Sequence, residues 1–365
     1  MNSSEKLTAR QATLWFIMFQ LGSAYLTLPG FLAAIAKQDA WISILITIFI
    51  QLVLVIPLYV SISKQTKGRG FGDYVESLFG KYGGKIFMCV FCFVFPFFAF
   101  TLSLWFLADF LTTSVIPATP ADSISVLMLI AVISVVRSGV TTIGRSAEAL
   151  FILLIVIFLL CIVSLMPTFH INNLLPVMEN GIKPIMHGSI LLLGYPFMES
   201  FLFLFFLKNM EMKKWKKSLI FGNIGSGIYF LGVTVVNIGV LGAEVTANVT
   251  YPSYFVIRTI TLGDFFERFE ILVSMLYYVT IFFRLSLLLH ITAEGLAGVF
   301  RLSDHRPLIL PLCLIALAYQ SDLWPNTSAS QNDFRLFSFY PMFFGLVVAF
   351  LLWVVGKIKR INKPS

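Results

Sequence analysis

Long apolar stretches alternate with short polar segments along almost the whole chain. Ten such runs can be delimited, and most approach the roughly 20 residues that a helix needs to cross a bilayer. The fourth and ninth runs are shorter than the others. The pattern predicts a helical membrane protein with transmembrane segments near residues 12–36, 41–62, 85–112, 123–137, 147–167, 184–207, 218–242, 268–294, 307–320 and 336–356.

The first run is interrupted at its centre, between Gly22 and Gly30, where glycine, serine, threonine and proline replace large apolar residues. Proline removes a backbone donor, and glycine destabilises a helix interior by about 1 kcal/mol. Unpaired backbone groups are not tolerated against lipid, so an unwound stretch must face protein, ligand or a wet cavity. Two interpretations follow: a discontinuous helix that binds a small solute, or a kinked helix whose small residues allow close packing.

The order of the runs indicates an internal repeat. The short runs are the fourth and ninth, and amphipathic stretches at 71–79 and 251–258 follow the second and seventh runs. Because five segments form each half, the second half must be inverted in the membrane, as in many secondary transporters. We predict one all-α transmembrane domain over residues 1–365, with ten transmembrane helices in a 5+5 inverted repeat. The first repeat covers about 8–167 and the second about 180–358.

The repeat predicts that the sixth run is broken like the first, and this run contains Gly194, Tyr195 and Pro196 followed by Glu199. Paired interruptions at corresponding positions are the best sequence indicator of a binding site at the membrane midplane. Half-helix N-termini suit a carboxylate, and unwound carbonyls suit an ammonium group. We therefore expect a small zwitterion or similar polar nutrient, with ligand-binding residues Gly22, Ser23, Ala24, Leu28, Tyr195, Pro196, Met198 and Glu199.

Two charged residues lie within predicted spans. Glu199 is expected to hold a substrate amine or carry a proton. The alternatives are that it makes a structural hydrogen bond between helices, or that it lies nearer the cytoplasm than the midplane. Arg284, in the eighth run, is expected either to act as a fixed charge that ties helix 8 to helix 1, or to extend to the cytoplasmic surface with Glu294 as its partner.

Aromatic residues of the third and eighth runs are candidates for the wall of the pocket. A ligand site is usually mostly apolar with few polar groups, and Phe95, Phe98 and Tyr277 are the rings we select. The sequence contains no pattern typical of a cofactor, a metal ion or a catalytic nucleophile. We predict that the protein is not an enzyme and that it binds no cofactor.

Composition agrees with a membrane protein, because 58% of the residues are hydrophobic and 12% are charged, about half the charged fraction of a soluble domain. The net charge of +8 does not indicate nucleic-acid binding, because most of the 26 basic residues fall in loops on one side of the ten-segment topology. By the positive-inside rule, that side is cytoplasmic and holds both termini.

Several short motifs resemble, in their order and spacing, those of the spore germinant-receptor B-subunits. This family is a branch of the amino acid/polyamine/organocation transporter superfamily. Glu270 and Tyr278 depart from the resemblance, since Asp and Trp are expected there. The motifs lie at residues 7–11, 22–29, 145–148, 173–177, 251–252 and 265–270.

The resemblance implies more than the residues alone. It implies a LeuT/APC-like fold, a ligand site between helices 1, 3, 6 and 8, and a location in the spore inner membrane with both termini on the spore-core side. It also implies partnership with a germinant-receptor A-subunit and a lipoprotein C-subunit, and the sensing of nutrients that trigger germination. The alternative function is a proton-coupled amino acid permease that transports its ligand.

Overall fold

The computed structural model describes residues 6–22, 24–259 and 270–361, which are mostly helical and contain no β-strand. The α-helices, in chain order, are α1 (Ala9–Leu21), α2 (Ala24–Ala36), α3 (Ala40–Ile50), α4 (Ile56–Thr66), α5 (Phe71–Cys92), α6 (Phe98–Phe110), α7 (Ala121–Ser138), α8 (Val140–Leu165), α9 (Ile182–Gly194), α10 (Met212–Asn248), α11 (Pro252–Arg258), α12 (Glu270–Phe300), α13 (Arg306–Gln320), α14 (Thr327–Phe337), α15 (Phe339–Met342) and α16 (Ala349–Ile361).

Segments of 3-10 or π-helix connect several of these helices into longer helical stretches. A 3-10 helix (Phe197–Asn209) follows α9. Short π-helical segments join α3 to α4, α5 to α6 and α15 to α16, and they comprise Gln51–Val55, Phe93–Phe97 and Phe343–Val348.

Eight helical stretches in the described residues are long and apolar enough to cross a membrane. The helix α13 is apolar but shorter. The exposed face of α8 carries Ile152, Leu159 and Val163, as expected for a surface solvated by lipid. A multi-pass helical membrane protein is therefore confirmed, while the count of ten spans and the inverted repeat remain predictions.

In the described residues, the first predicted break is narrower than the sequence pattern suggests. α1 ends at Leu21, and α2 begins at Ala24. Ser23 lies outside the described residues. Pro29, which the sequence analysis counts among the interruptions, lies instead inside α2.

The helix tolerates Pro29 because a neighbouring element replaces the hydrogen bond that proline removes. Proline has no N–H to donate to the carbonyl four residues earlier, which belongs to Tyr25. The hydroxyl of Ser253, on α11, donates to that carbonyl at 2.7 Å. The freed group is thus satisfied inside the protein, as a membrane helix requires.

The second predicted break lies where the sequence places it. α9 ends at Gly194, Tyr195 has extended backbone angles, and the 3-10 helix begins at Phe197. A Cβ on Gly194 would overlap the carbonyl oxygen of Ser338. Only glycine therefore allows the chain to pass this closely beside the segment that leads into α15.

The broken segments occupy the interior of the helix bundle. α1 packs against α8, α10 and α12, and α2 packs against α9 and α10. Every residue of the 3-10 helix from Phe197 to Leu207 is buried. The two breaks are therefore enclosed by protein and are kept away from lipid.

Candidate functional site

A buried ion pair connects the second break to α12. Both carboxylate oxygens of Glu199 accept hydrogen bonds from the Arg284 guanidinium, with Nη1 donating at 2.6 Å and Nη2 at 2.7 Å. The exposed fraction of Glu199 is 0% and that of Arg284 is 1%. Removal of two charges from solvent is costly unless they are paired and hydrogen-bonded, and the bidentate geometry meets that condition.

The guanidinium of Arg284 also contacts α6 and α1. Its Nε donates to the hydroxyl of Ser103 on α6 at 2.7 Å, and its Nη1 lies 3.5 Å from the carbonyl oxygen of Phe19 on α1. The rings of Phe19 and Tyr195 lie 5.2 Å and 5.4 Å from its central carbon, within the range of cation–π interaction. One side chain thus connects both broken helices with α6 and α12.

Gly22 makes this arrangement possible at the first break. A Cβ at this position would overlap Cδ of Arg284 and would lie 2.9 Å from the carbonyl oxygen of Phe19. Thr280 of α12 donates to the carbonyl of Gly22 at 3.4 Å. The glycine therefore provides the space for the arginine, and its exposed backbone is partly satisfied by α12.

The second break is held by the π-helical turn that follows α3. Nε2 of Gln51 donates to the carbonyl of Phe197 at 3.1 Å and to the hydroxyl of Ser200 at 2.8 Å. The hydroxyl of Tyr59, on α4, lies 3.5 Å from the carbonyl oxygen of Met198 and donates to the carbonyl of Gly345 at 2.8 Å. The contacts of Gln51 and Tyr59 with residues 197, 198 and 200 hold the start of the 3-10 helix, and with it the position of Glu199.

The structure brings five of the predicted site residues together. Gly22, Tyr195, Glu199 and Arg284 are in direct contact through the interactions above. Tyr277 is buried, and the hydroxyl of Thr280 lies 3.0 Å from its carbonyl oxygen and 3.4 Å from that of Gly22. These residues form what we call the charge-pair site.

Three other predicted residues, Phe95, Phe98 and Met198, contact aromatic residues of the C-terminal segment or of α4. Phe95 stacks on Phe344 with 4.5 Å between ring centroids, and Phe98 lies edge-on to Tyr340 at 5.4 Å. The sulfur of Met198 lies 3.7 Å from the hydroxyl of Tyr59. Phe337 stacks on Tyr340 at 5.5 Å and lies edge-on to Tyr195 at 5.7 Å, so this aromatic cluster adjoins the charge-pair site.

Of the remaining predicted residues, Ala24, Leu28 and Pro196 are buried. Ala24 and Leu28 lie in α2, and Pro196 precedes the 3-10 helix. Ser23 cannot be placed, since it lies outside the described residues. The role of each of these residues in ligand binding stays a prediction.

Sequence reasoning missed two residues that contact the guanidinium, namely Phe19 and Ser103. Each gives a weak signal along the chain. Phe19 lies one helical turn before Gly22, and Ser103 is a polar residue in the apolar third run. Neither signal distinguishes a site residue from an ordinary packing residue.

The two interpretations of Arg284 can be compared with its contacts. The side chain points into the bundle, where its guanidinium donates to Glu199 and lies 3.5 Å from the carbonyl oxygen of Phe19 on α1. Glu294, its partner in the other interpretation, forms an ion pair with Lys208. The roles of Arg284 and Glu199 in the site stay predictions.

Comparison with known proteins gives the family of the chain. The model of the spore germination protein family known as spore permease matches residues 6–327. The chain belongs to the spore permease family. This agrees with the resemblance noted in the sequence.

Curated relatives of this family cover nearly the whole chain. Spore germination protein KB of Bacillus subtilis is 28% identical over 332 residues, which are 90% of this chain and 88% of that protein. Spore germination protein A2 of the same organism is 24% identical over 93% of this chain and 92% of its own length. Spore germination protein XB of Bacillus anthracis is 27% identical over 88% of this chain and 91% of its own length.

Solved transporter structures share the fold of this spore permease family member. The nucleobase-cation-symport-1 family transporter Mhp1, closed around bromovinylhydantoin, has a TM-score of 0.69 at 13% identity, over 95% of this chain and 82% of its own. A Na+-coupled sialic acid symporter has a TM-score of 0.65 at 14% identity, over 96% of this chain and 78% of its own. At these identities the likeness concerns the fold alone.

Proposed function

We propose that the chain is the nutrient-sensing subunit of a spore germination receptor. Its ligand would be an amino acid or another small polar germinant, bound near the midplane between helices 1, 3, 6 and 8 of the predicted topology. The observation that carries the proposal is the buried Glu199–Arg284 pair between two helix breaks. Ionisable groups at membrane depth mark functional sites by default, and the relatives are spore germination proteins.

The charge pair suggests how such a ligand would bind. A zwitterion carries the same two charges as the pair, so its carboxylate can take the place of Glu199 beside Arg284. Its ammonium group can then take the place of Arg284 beside Glu199, or bind the carbonyls at the breaks. In the present conformation the pair is closed off from solvent, so ligand entry requires the broken helices to move.

The wider architecture belongs to the same proposal. Ten transmembrane helices in a 5+5 inverted repeat would form one domain, with both termini on the spore-core side of the inner membrane. A germinant-receptor A-subunit and a lipoprotein C-subunit would be its partners. The transporter-like fold and the relation to germination proteins support this assignment.

Direct binding tests the proposal. The purified full-length protein, in nanodiscs, is titrated with a panel of amino acids, sugars and nucleosides while its thermal unfolding is recorded. Because a ligand that binds only the folded state raises the unfolding temperature, we expect at least one compound to do so and Gly22→Ala to reduce the shift. A panel that leaves the wild-type unfolding temperature unchanged contradicts the proposal.

Transport is the second candidate function, and the transporter-fold neighbours together with the titratable carboxylate of Glu199 favour it. Proteoliposomes discriminate between the two functions. A receptor binds its nutrient without accumulating it, whereas a proton-coupled permease accumulates it along an imposed pH gradient. Gradient-dependent accumulation would establish the permease alternative.

A further inference from the structure

A second polar region lies at one end of the bundle, away from the charge-pair site. It is a cavity of about 540 Å³ between the start of α8, the end of the 3-10 helix, the last turns of α12 and the segment 303–306. We call it the inner chamber, because the predicted topology places this end on the cytoplasmic side. Two histidines line it, His290 and His305. His290 follows Arg284 by six residues, which is about 9 Å along a helix axis.

His290 lines the inner chamber and has no hydrogen-bond partner on either ring nitrogen, although only 3% of the residue is exposed. Its Nε2 lies 3.0 Å from a carboxylate oxygen of Glu294, but not in the direction that a ring N–H needs for a hydrogen bond. Oδ1 of Asn209, in the same wall, is also unpartnered. Buried polar groups are nearly always satisfied, so these groups indicate an occupant.

The N-terminus of α8 forms another part of the wall. Val140 and Thr141 are its first residues, and this 26-residue helix has no side-chain cap. In the first turn of α8, Thr142 and Ile143 donate their N–H groups to the carbonyl of Gly139 at 3.1 Å and 3.3 Å. The N–H groups of Val140 and Thr141 are therefore the ones that this helix start leaves without a partner within the helix, and they carry its partial positive charge. The start of α13 differs, because Asp304 accepts a hydrogen bond from the N–H of Arg306 at 3.1 Å.

The charged side chains of the chamber are already matched. Lys208 forms an ion pair with Glu294. Asp304 lies 3.8 Å from the guanidinium of Arg306 and 3.7 Å from the ring of His305. Each carboxylate of the chamber therefore has a cation beside it. The polar groups of the wall that lack a hydrogen-bond partner and can donate are the N–H groups at the start of α8 and the imidazole of His290. Such a set favours an anion.

We propose that the inner chamber binds a small oxyanion of the phosphate class. The free N–H groups of α8 and the ring of His290 would donate to its oxygens, and its own hydroxyl could donate to Asn209. The source is either free phosphate or the headgroup of an anionic lipid. Lys208 lies on the 3-10 helix that carries Glu199, and His290 lies on α12 with Arg284, so occupancy would influence the elements of the charge-pair site.

Phosphate titration of the full-length protein in lipid-depleted detergent tests the site, with phosphorus NMR line broadening as the measurement. Two variants remove donors in different ways. His290→Leu removes the imidazole, and Val140→Pro removes one N–H at the first helical position, where proline is well accommodated. Loss of one charge-assisted hydrogen bond should weaken binding roughly tenfold or more.

Matched controls are available at the opposite end of the bundle. His170→Leu removes an exposed imidazole, and Ala121→Pro makes the same change at the first position of α7. Both should bind phosphate like the wild type. Native mass spectrometry from phosphatidylglycerol nanodiscs identifies a lipid source, through a lipid retained by the wild type and lost in Val140→Pro. The proposal is overturned if neither phosphate nor lipid binds, or if both donor variants bind like their controls.

Discussion

At the scale of single residues, the Glu199–Arg284 pair dominates the interior. Replacement of Glu199 by Gln leaves a guanidinium buried beside a neutral group, and removal of one partner of a buried pair costs about 3–5 kcal/mol of unfolding free energy. We expect Glu199→Gln to lower the unfolding temperature and to abolish the germination response. Glu148→Gln is the control, because this carboxylate lies 3.6 Å from Arg10 at a partly exposed position, where a pair contributes about 0–1 kcal/mol.

Removal of both charges separates folding from ligand binding. The double variant Glu199→Leu with Arg284→Met replaces the pair by apolar side chains, a change that is often neutral or stabilising in buried pairs. We expect it to unfold at a temperature near that of the wild type but to show no response to nutrient. A double variant that still responds with wild-type sensitivity would exclude the charges from the ligand site.

Gly22 gives a steric test of the same site. A Cβ at this position would overlap Cδ of Arg284, and overpacking of this kind typically costs about 1–3 kcal/mol. We expect Gly22→Ala to raise the nutrient concentration needed for half-maximal germination. Gly298→Ala, on α12 with no described atom within 4 Å of the added Cβ, should leave the dose–response curve unchanged.

At the scale of helices, Pro29 and Ser253 form a coupled pair. Ser253→Ala removes the donor to the carbonyl of Tyr25, and an unsatisfied buried acceptor costs about 1–3 kcal/mol. The added substitution Pro29→Ala should reverse the loss, because an alanine at this position would supply its own helical N–H. A double-mutant cycle of unfolding free energies measures this coupling.

The control for that cycle is Ser286→Ala in α12. The hydroxyl of Ser286 is buried but donates to the carbonyl of Phe282 in its own helix at 2.7 Å, and that carbonyl keeps its helical N–H partner in the variant. The change should therefore be small, and it should be the same with and without Pro29→Ala. A cycle of Pro29 and Ser253 that shows no coupling contradicts the hydrogen-bond substitution described here.

These elements also indicate how far the sequence can be interpreted. The apolar runs and the glycines at 22 and 194 are local signals, so the helices and both breaks were predictable. The continuity of α2 through Pro29 was not, because it depends on a donor that lies 228 residues from Tyr25 in the chain. The pairing of Glu199 with Arg284 likewise depends on tertiary packing, because the two residues are 85 positions apart and their spacing in the sequence does not indicate a contact.

At the scale of the whole molecule, two long helical stretches bear on the number of spans. Ala24–Thr66 has 43 residues, about 65 Å of helix and twice the thickness of a hydrocarbon core. The 3-10 turn Lys37–Asp39 divides it, so it can cross the membrane twice. In Phe71–Val115, Gly80 has a φ of 77° and separates an amphipathic first part from the remainder. The first division makes two spans of one stretch, and the second leaves a single span in the other. The eight stretches then account for nine spans, and the predicted ten requires α13 as well.

The short helix α13 decides between an odd and an even number of crossings after α12. If Arg306–Gln320 crosses the membrane, Ser303 and Asn326 lie on opposite sides. If it does not, they lie on the same side. In a variant whose four native cysteines are replaced, we expect Asn326→Cys to react with an impermeant thiol reagent added outside intact cells. Ser303→Cys should react only after permeabilisation, because the positive-inside rule places its basic neighbours in the cytoplasm.

Asn180→Cys is the control for the outer side, and Lys214→Cys is the control for the inner side. Equal labelling of positions 303 and 326 in intact cells would contradict the ten-helix topology.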